Sequence, residues 1–185
     1  MLRSSLIIFF LFISNIASAN MYFEPVVGYG TGSYKNSSGG GTTDSVVSPS
    51  VGFKFGYFVR YVYLVADARY TIINAKESVA EGSPALTSYG VGIGWDWNLP
   101  IRTFFGLDIN SSMTVQDSKI SGSGKRFALG YYLSLNALLS LEIVSHKLSD
   151  DNSGIDVTAT QTLITFSFPI EFVYPQTSWK DKVRR

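Results

Sequence analysis

The chain has 185 residues, no cysteine, a formal charge of +1, 16% charged residues and 15% aromatic residues. These numbers exclude disulfide stapling, a thiol nucleophile, a lipoprotein anchor and cysteine-ligated zinc, and they offer no strongly basic face for nucleic acid. Typical soluble domains carry about 25% charged residues, so solvating groups are scarce, yet no apolar run reaches the roughly 20 residues of a spanning helix.

Residues 1–19, MLRSSLIIFFLFISNIASA, place Arg3 near the start, an apolar run from Leu6 to Ile13, and the small-x-small ending Ala17-Ser18-Ala19. This is the layout of a secretory signal peptide cleaved after Ala19. An N-terminal anchor helix is the alternative, and the apolar run is short for one. Residues 20–174 are expected to form one domain.

Period-2 alternation, the mark of a β-strand with two unlike faces, recurs in eight segments: 22–31, 47–57, 61–72, 89–98, 101–110, 126–137, 139–147 and 158–172. In YGVGIGWDWN, Tyr89, Val91, Ile93, Trp95 and Trp97 alternate with Gly90, Gly92, Gly94, Asp96 and Asn98. The last segment sets Ile164, Phe166, Phe168, Ile170 and Phe172 against Thr165, Ser167 and Glu171. Connections run long, short, long, short, long, short, medium, from the Gly/Ser/Thr-rich stretch after the first strand to LSDDNSGID before the last. That rhythm predicts an all-β, eight-stranded antiparallel up-and-down barrel with loops on one rim and turns on the other.

Three considerations make it a transmembrane β-barrel, with bulky groups against lipid. The small face is built of Gly, Ser, Ala and Asn, as a narrow closed interior requires, where a solvated sheet would carry larger polar residues. Ten charges within the segments, Glu24, Lys54, Asp67, Arg69, Asp96, Arg102, Asp108, Arg126, Glu142 and Glu171, fall on that face. A salt-bridge network in the lumen is expected, because unpaired buried charges are expensive. Aromatic residues gather near the strand ends: Tyr22, Phe23, Tyr57, Phe58, Trp95, Trp97, Phe172 and Tyr174 toward the short turns, and Tyr29, Tyr70, Tyr89 and Phe127 toward the long loops. These are the expected membrane-interface girdles.

The pattern over 21–174 resembles the small eight-stranded outer-membrane β-barrels of Gram-negative bacteria, a family that includes the membrane domain of outer-membrane protein A and the opacity-type surface proteins. The stretches that carry it are YFEPVVGYGTG, LSLEIVSHKLSDDNSGIDV and TLITFSFPIEF. The last is similar to the closing strand that the barrel-assembly machinery recognises. The resemblance implies an outer-membrane location after export, contact with outer-membrane lipids and lipopolysaccharide, and extracellular loops with a partner still unknown. One departure is the tail 175–185, PQTSWKDKVRR, which follows Tyr174. It is too short for a peptidoglycan-binding domain and is read as a periplasmic extension, basic enough to touch inner-leaflet headgroups.

Chemistry is not indicated. A barrel of related build, the lipid A deacylase, carries His-x-Ser, whereas His146 and Ser149 are His-x-x-Ser and so lie on opposite faces. His146 is expected to fill the lumen mouth. Gly39-Gly40-Gly41 has no following helix to cradle phosphate, and Asp150, Asp151 and Asp156 lack calcium-loop spacing. No catalytic residue, cofactor or metal is assigned. The favoured function is a plugged barrel with a structural or adhesin-like role through its loops. A narrow pore, and a soluble periplasmic lipocalin-like binder, are the alternatives.

Overall fold

The computed structural model describes residues 20–36, 43–59, 61–75, 84–97, 99–115, 118–150 and 155–172. Residues 1–19 and the tail lie outside these, as does Tyr174. Eight strands follow in chain order: β1 (Asn20–Asn36), β2 (Thr43–Val59), β3 (Val62–Ile72, resumed at Asn74–Ala75), β4 (Ala85–Asp96), β5 (Ile101–Val115), β6 (Ser118–Ser134), β7 (Ala137–Asp150) and β8 (Ile155–Ser167, resumed at Ile170–Glu171). Each pairs antiparallel with its neighbour, and β1 pairs with both β2 and β8, which closes the sheet. No helix is present among the described residues. The predicted up-and-down barrel is therefore the observed one.

Register fixes its shape. The pairs Gly30–Leu163, Leu163–Glu142, Glu142–Ala128, Ala128–Phe104, Phe104–Gly94, Gly94–Tyr63, Tyr63–Phe58 and Phe58–Asn20 lead once around the sheet. The walk leaves β1 at Gly30 and re-enters it at Asn20, a stagger of ten residues. Such a stagger on eight strands tilts them by roughly 40° and leaves room for little besides side chains inside.

Bulky groups point outward along most of the wall. Val27, Phe53, Phe55, Leu64, Val91, Ile93, Trp95, Phe105, Leu107, Leu129, Leu141 and Ile164 are all exposed, and Phe166 is half-buried against Phe168, ring edge to face at 4.8 Å. The sheet is inside out relative to a soluble barrel, as the alternation predicts.

The strands outrun their expected length, and they do so at the long-loop end. β5 reaches Val115 where the alternation suggested 110, and β6 starts at Ser118 where it suggested 126. A strand of 17 residues, such as β1, β2 or β6, rises about 40 Å at this tilt, against an apolar band about 25 Å tall in membrane barrels. In the surplus the two faces exchange character. Ser45, Thr114, Lys119, Ser121, Lys147, Ser149 and Asp156 are exposed outside, while Val46, Met113, Ile120, Leu148 and Val157 are buried inside. The apolar-outside pattern stops where this happens, and a reading tuned to it takes the rest for loop. At the opposite rim the sixth segment was expected to run to 137. It ends at Ser134, and Leu135 and Asn136 form the turn into β7.

Candidate functional site

The interior is built in four levels. Nearest the short turns, Tyr22, Phe58, Tyr63, Val65, Phe104 and Ala128 pack as one buried cluster, with Tyr63 stacked on Phe58 at 4.5 Å and tilted against Tyr22 at 4.8 Å. Five strands contribute, with Tyr63 and Val65 both from β3, so the level is assembled mainly by register rather than by sequence proximity.

Arg102 lies directly on this level. Its Nε donates to Asp96 at 2.9 Å, its Nη1 to Glu24 and to the Tyr22 hydroxyl, and its Nη2 to the Tyr132 hydroxyl. The Tyr63 and Tyr132 hydroxyls both donate to Asp96. The guanidinium also lies over the Tyr63 ring, 4.0 Å from its centroid, so ring faces and carboxylates share its charge. Glu24 completes the cluster by accepting from Lys54 at 2.9 Å, and the Lys54 ammonium sits 4.4 Å over Phe104.

Halfway up, a second cluster surrounds Arg69 and Arg126. Arg69 donates to Asp67 at 2.9 Å and to Glu142 at 3.3 Å. Arg126 donates to Asp108 at 3.2 Å and stands 3.5 Å from Asp67 and 3.8 Å from Glu142. His146 Nε2 meets the same Asp108 oxygen at 2.8 Å. Every one of these side chains is buried. Above them come hydroxyls and an amide: Thr71 donates to Ser50 at 3.0 Å, and Gln161 to Ser48 at 2.9 Å.

The fourth level closes the long-loop end. Val46, Ile73, Leu86, Met113, Ile120, Leu148 and Val157 form a buried apolar cluster, with Tyr34 packed against it. One residue comes from each strand, Tyr34 from β1, with Ile73 at the break in β3. Sequence reasoning missed this level. Its signal was present, an apolar residue on the inward parity of every strand, but it lay outside the assumed strand limits.

Interior glycines serve as seats for large neighbours. A Cβ at Gly92 would collide with the Phe104 ring, one at Gly124 with the His146 ring, and one at Gly52 with the Arg69 stem. The space released by glycine is filled from the next strand, as close packing of an eight-stranded interior demands.

All ten of the expected lumen charges lie on the inward side, nine of them buried and Glu171 partly so. The ion pairs bring nine of them together in the two clusters. Of the expected interface aromatics, Tyr29, Tyr57, Tyr70, Tyr89, Trp95, Trp97 and Phe172 are exposed on the outer wall, and Phe23 is half-buried against Phe53. Tyr22 and Phe58 must be corrected. Both are 1% exposed and face the lumen. They stand at the rim in height, yet share the parity of Glu24 and Lys54, and alternation alone decides which way a strand side chain points.

No protein-family model and no curated protein sequence matches the chain. Its fold is similar to three solved barrels. Neisserial surface protein A matches with 16% identity and a TM-score of 0.56, over 80% of this chain and 96% of that one. Ail, the attachment invasion locus protein of Yersinia pestis, matches with 13% identity and 0.53, over 80% and 98%; it is also known in a phospholipid bilayer nanodisc. The N-terminal β-barrel domain of Pseudomonas aeruginosa OprF matches with 13% identity and 0.53, over 82% and 99%. Register, closure and these likenesses together give the chain the closed eight-stranded antiparallel fold of the small outer-membrane β-barrels.

Proposed function

We propose that the chain is exported behind the signal peptide 1–19, inserts in the outer membrane, and acts there as a plugged barrel that presents its long-loop end at the cell surface. It has a structural or adhesin-like role and catalyses no reaction. The observation that carries this reading is the interior itself: two ion-pair clusters held between an apolar level at each end. A solute would have to displace buried ion pairs at a cost of several kcal/mol and then cross the apolar level of eight side chains. The names of the similar barrels add support, since an attachment protein is among them.

The expected loop 111–125 is strand over 111–115 and 118–125, so a partner there would meet the rim of a raised sheet. The tail 175–185 would remain on the periplasmic side.

Planar bilayers test the plug. The folded protein is expected to give no steady conductance at physiological salt, and a stable open level in the wild type would overturn the reading. Filling Gly92 with a large residue is not a usable control, because Phe104 already occupies that space. Truncating Phe104 and Ile120 to Ala together, which thins both apolar levels, is the informative variant.

A further inference from the structure

Among the described residues, the charges exposed on the outer wall are Lys35 on β1, Lys119 and Lys125 on β6, Lys147 on β7 and Asp156 on β8. Strands β2 to β5 carry none there among the described residues. The register gathers them. Lys35 pairs with Thr158, Thr158 with Lys147, and Lys147 with Ser123, so one row crosses four adjacent strands. Lys125, opposite Ser145, is the diagonal neighbour of Lys147 one step nearer the apolar wall. With strands about 4.8 Å apart, three ammonium groups share a patch about 15 Å wide.

Height matters as much as grouping. Lys125 is followed two residues on by Phe127, and Lys147 is preceded by Ile143, both exposed members of the apolar wall. The lysines therefore start where hydrocarbon would end. None of the four makes an ion pair with a described residue, and like charges on diagonal positions repel. Asp156 lies beyond Thr158, farther from the apolar wall. Hydroxyls fill the positions between: Ser121, Ser123 and Ser149 are exposed, and Ser145 and Thr158 partly so. A groove of about 240 Å³ opens beside Lys147, Ser149 and Thr158, and the Asp156 carboxylate lines it too, on the side away from the apolar wall.

We propose that this face of β6, β7, β8 and β1 binds the phosphate-bearing headgroups of lipids in the leaflet at the long-loop rim. The proposal rests on the membrane reading above and assigns lipid contact to one face of the barrel and one leaflet. Lysine is a compact point charge that suits phosphate, its stem can lie along the apolar wall, and its head reaches the interface. Hydroxyls supply additional donors to phosphate oxygens. A lysine near an anionic surface contributes about 1 kcal/mol, roughly fivefold in association.

Vesicles of phosphatidylcholine with trace spin-labelled phosphatidic acid or spin-labelled phosphatidylcholine provide the test. The wild type is expected to associate with labelled phosphatidic acid at least fivefold more strongly than with labelled phosphatidylcholine, with the ratio falling at high salt. K35Q/K125Q/K147Q should bring the ratio near one while heat-sensitive migration in SDS is retained. Lys119→Gln, six residues farther from the apolar wall than Lys125, should leave the ratio unchanged. A wild-type ratio of one, or a triple variant that keeps its selectivity, would overturn the proposal. Failure to enter vesicles of either composition would remove the membrane reading, and the proposal with it.

Discussion

The Arg102 guanidinium touches Asp96 and Glu24 and lies against the rings of Tyr22, Tyr63 and Tyr132. Removing it takes an ion-pair partner from two buried carboxylates, Asp96 and Glu24, of which Glu24 keeps Lys54. Arg102→Met should cost about 3–5 kcal/mol, the usual penalty for breaking a buried pair from one side, read from urea unfolding in vesicles. Adding Asp96→Asn to the same chain should recover part of that loss, because the neutral amide leaves less uncompensated charge. Equal midpoints for the wild type and Arg102→Met would show that the cluster contributes nothing to stability. Gly92 makes a different demand. Its missing side chain seats the Phe104 ring, so Gly92→Ala should destabilise by about 1–3 kcal/mol through overpacking. Combining Phe104→Leu with Gly92→Ala should restore most of it, whereas a loss through backbone conformation would show no such rescue.

Each strand carries two environments along its length, and substitutions on one strand separate them. On β7, Leu141 is exposed in the apolar wall, while Ser149 is exposed beyond it. In water a lysine at either site would be nearly neutral to stability. In a bilayer Leu141→Lys should cost about 2–4 kcal/mol, falling toward zero for Ser149→Lys. Equal small effects in reconstituted protein would argue that the wall does not face lipid. Alternation set the direction of the ten charges and of the outer apolar residues correctly, whereas Tyr22 and Phe58 were placed at the interface by height alone. It could not set where the strands stop, because the outward face turns polar at the long-loop end while the backbone continues to pair.

The molecule as a whole behaves as a closed cylinder with no free strand edge, since β1 bonds to both neighbours. Closure makes local opening costly, because each strand is paired on both sides, with register shifts only at Tyr89/Gly90, Asp108/Ser111 and Tyr132/Ser134 among the described residues. The folded chain should resist SDS until boiled and migrate differently before and after, whereas one unchanging band would be inconsistent with a closed membrane barrel. Closure also makes the seal redundant. Replacing Ile120 and Leu148 by Ser should leave the bilayer silent, as the ion-pair clusters and the aromatic level remain beneath. Conductance from that variant alone would place the whole barrier at the long-loop end.

The amino-acid pattern alone settles the strand count and the alternation, and with it the inward side within each assigned segment. A β-strand side chain has only two directions, and in lipid a misplaced charge is too costly to tolerate. Glu24, Asp96 and Arg102 were therefore readable as lumen residues from parity alone. Partnership was not readable, because Arg102 meets Glu24 and Tyr22 from far along the chain, and only the ten-residue stagger of the closed sheet sets them at one height. The same stagger brings an apolar residue from every strand into the upper level, and it sets Lys35 beside Lys147 across β8. Height along a tilted, closed wall is a property of register, and register exists only once all eight strands have paired.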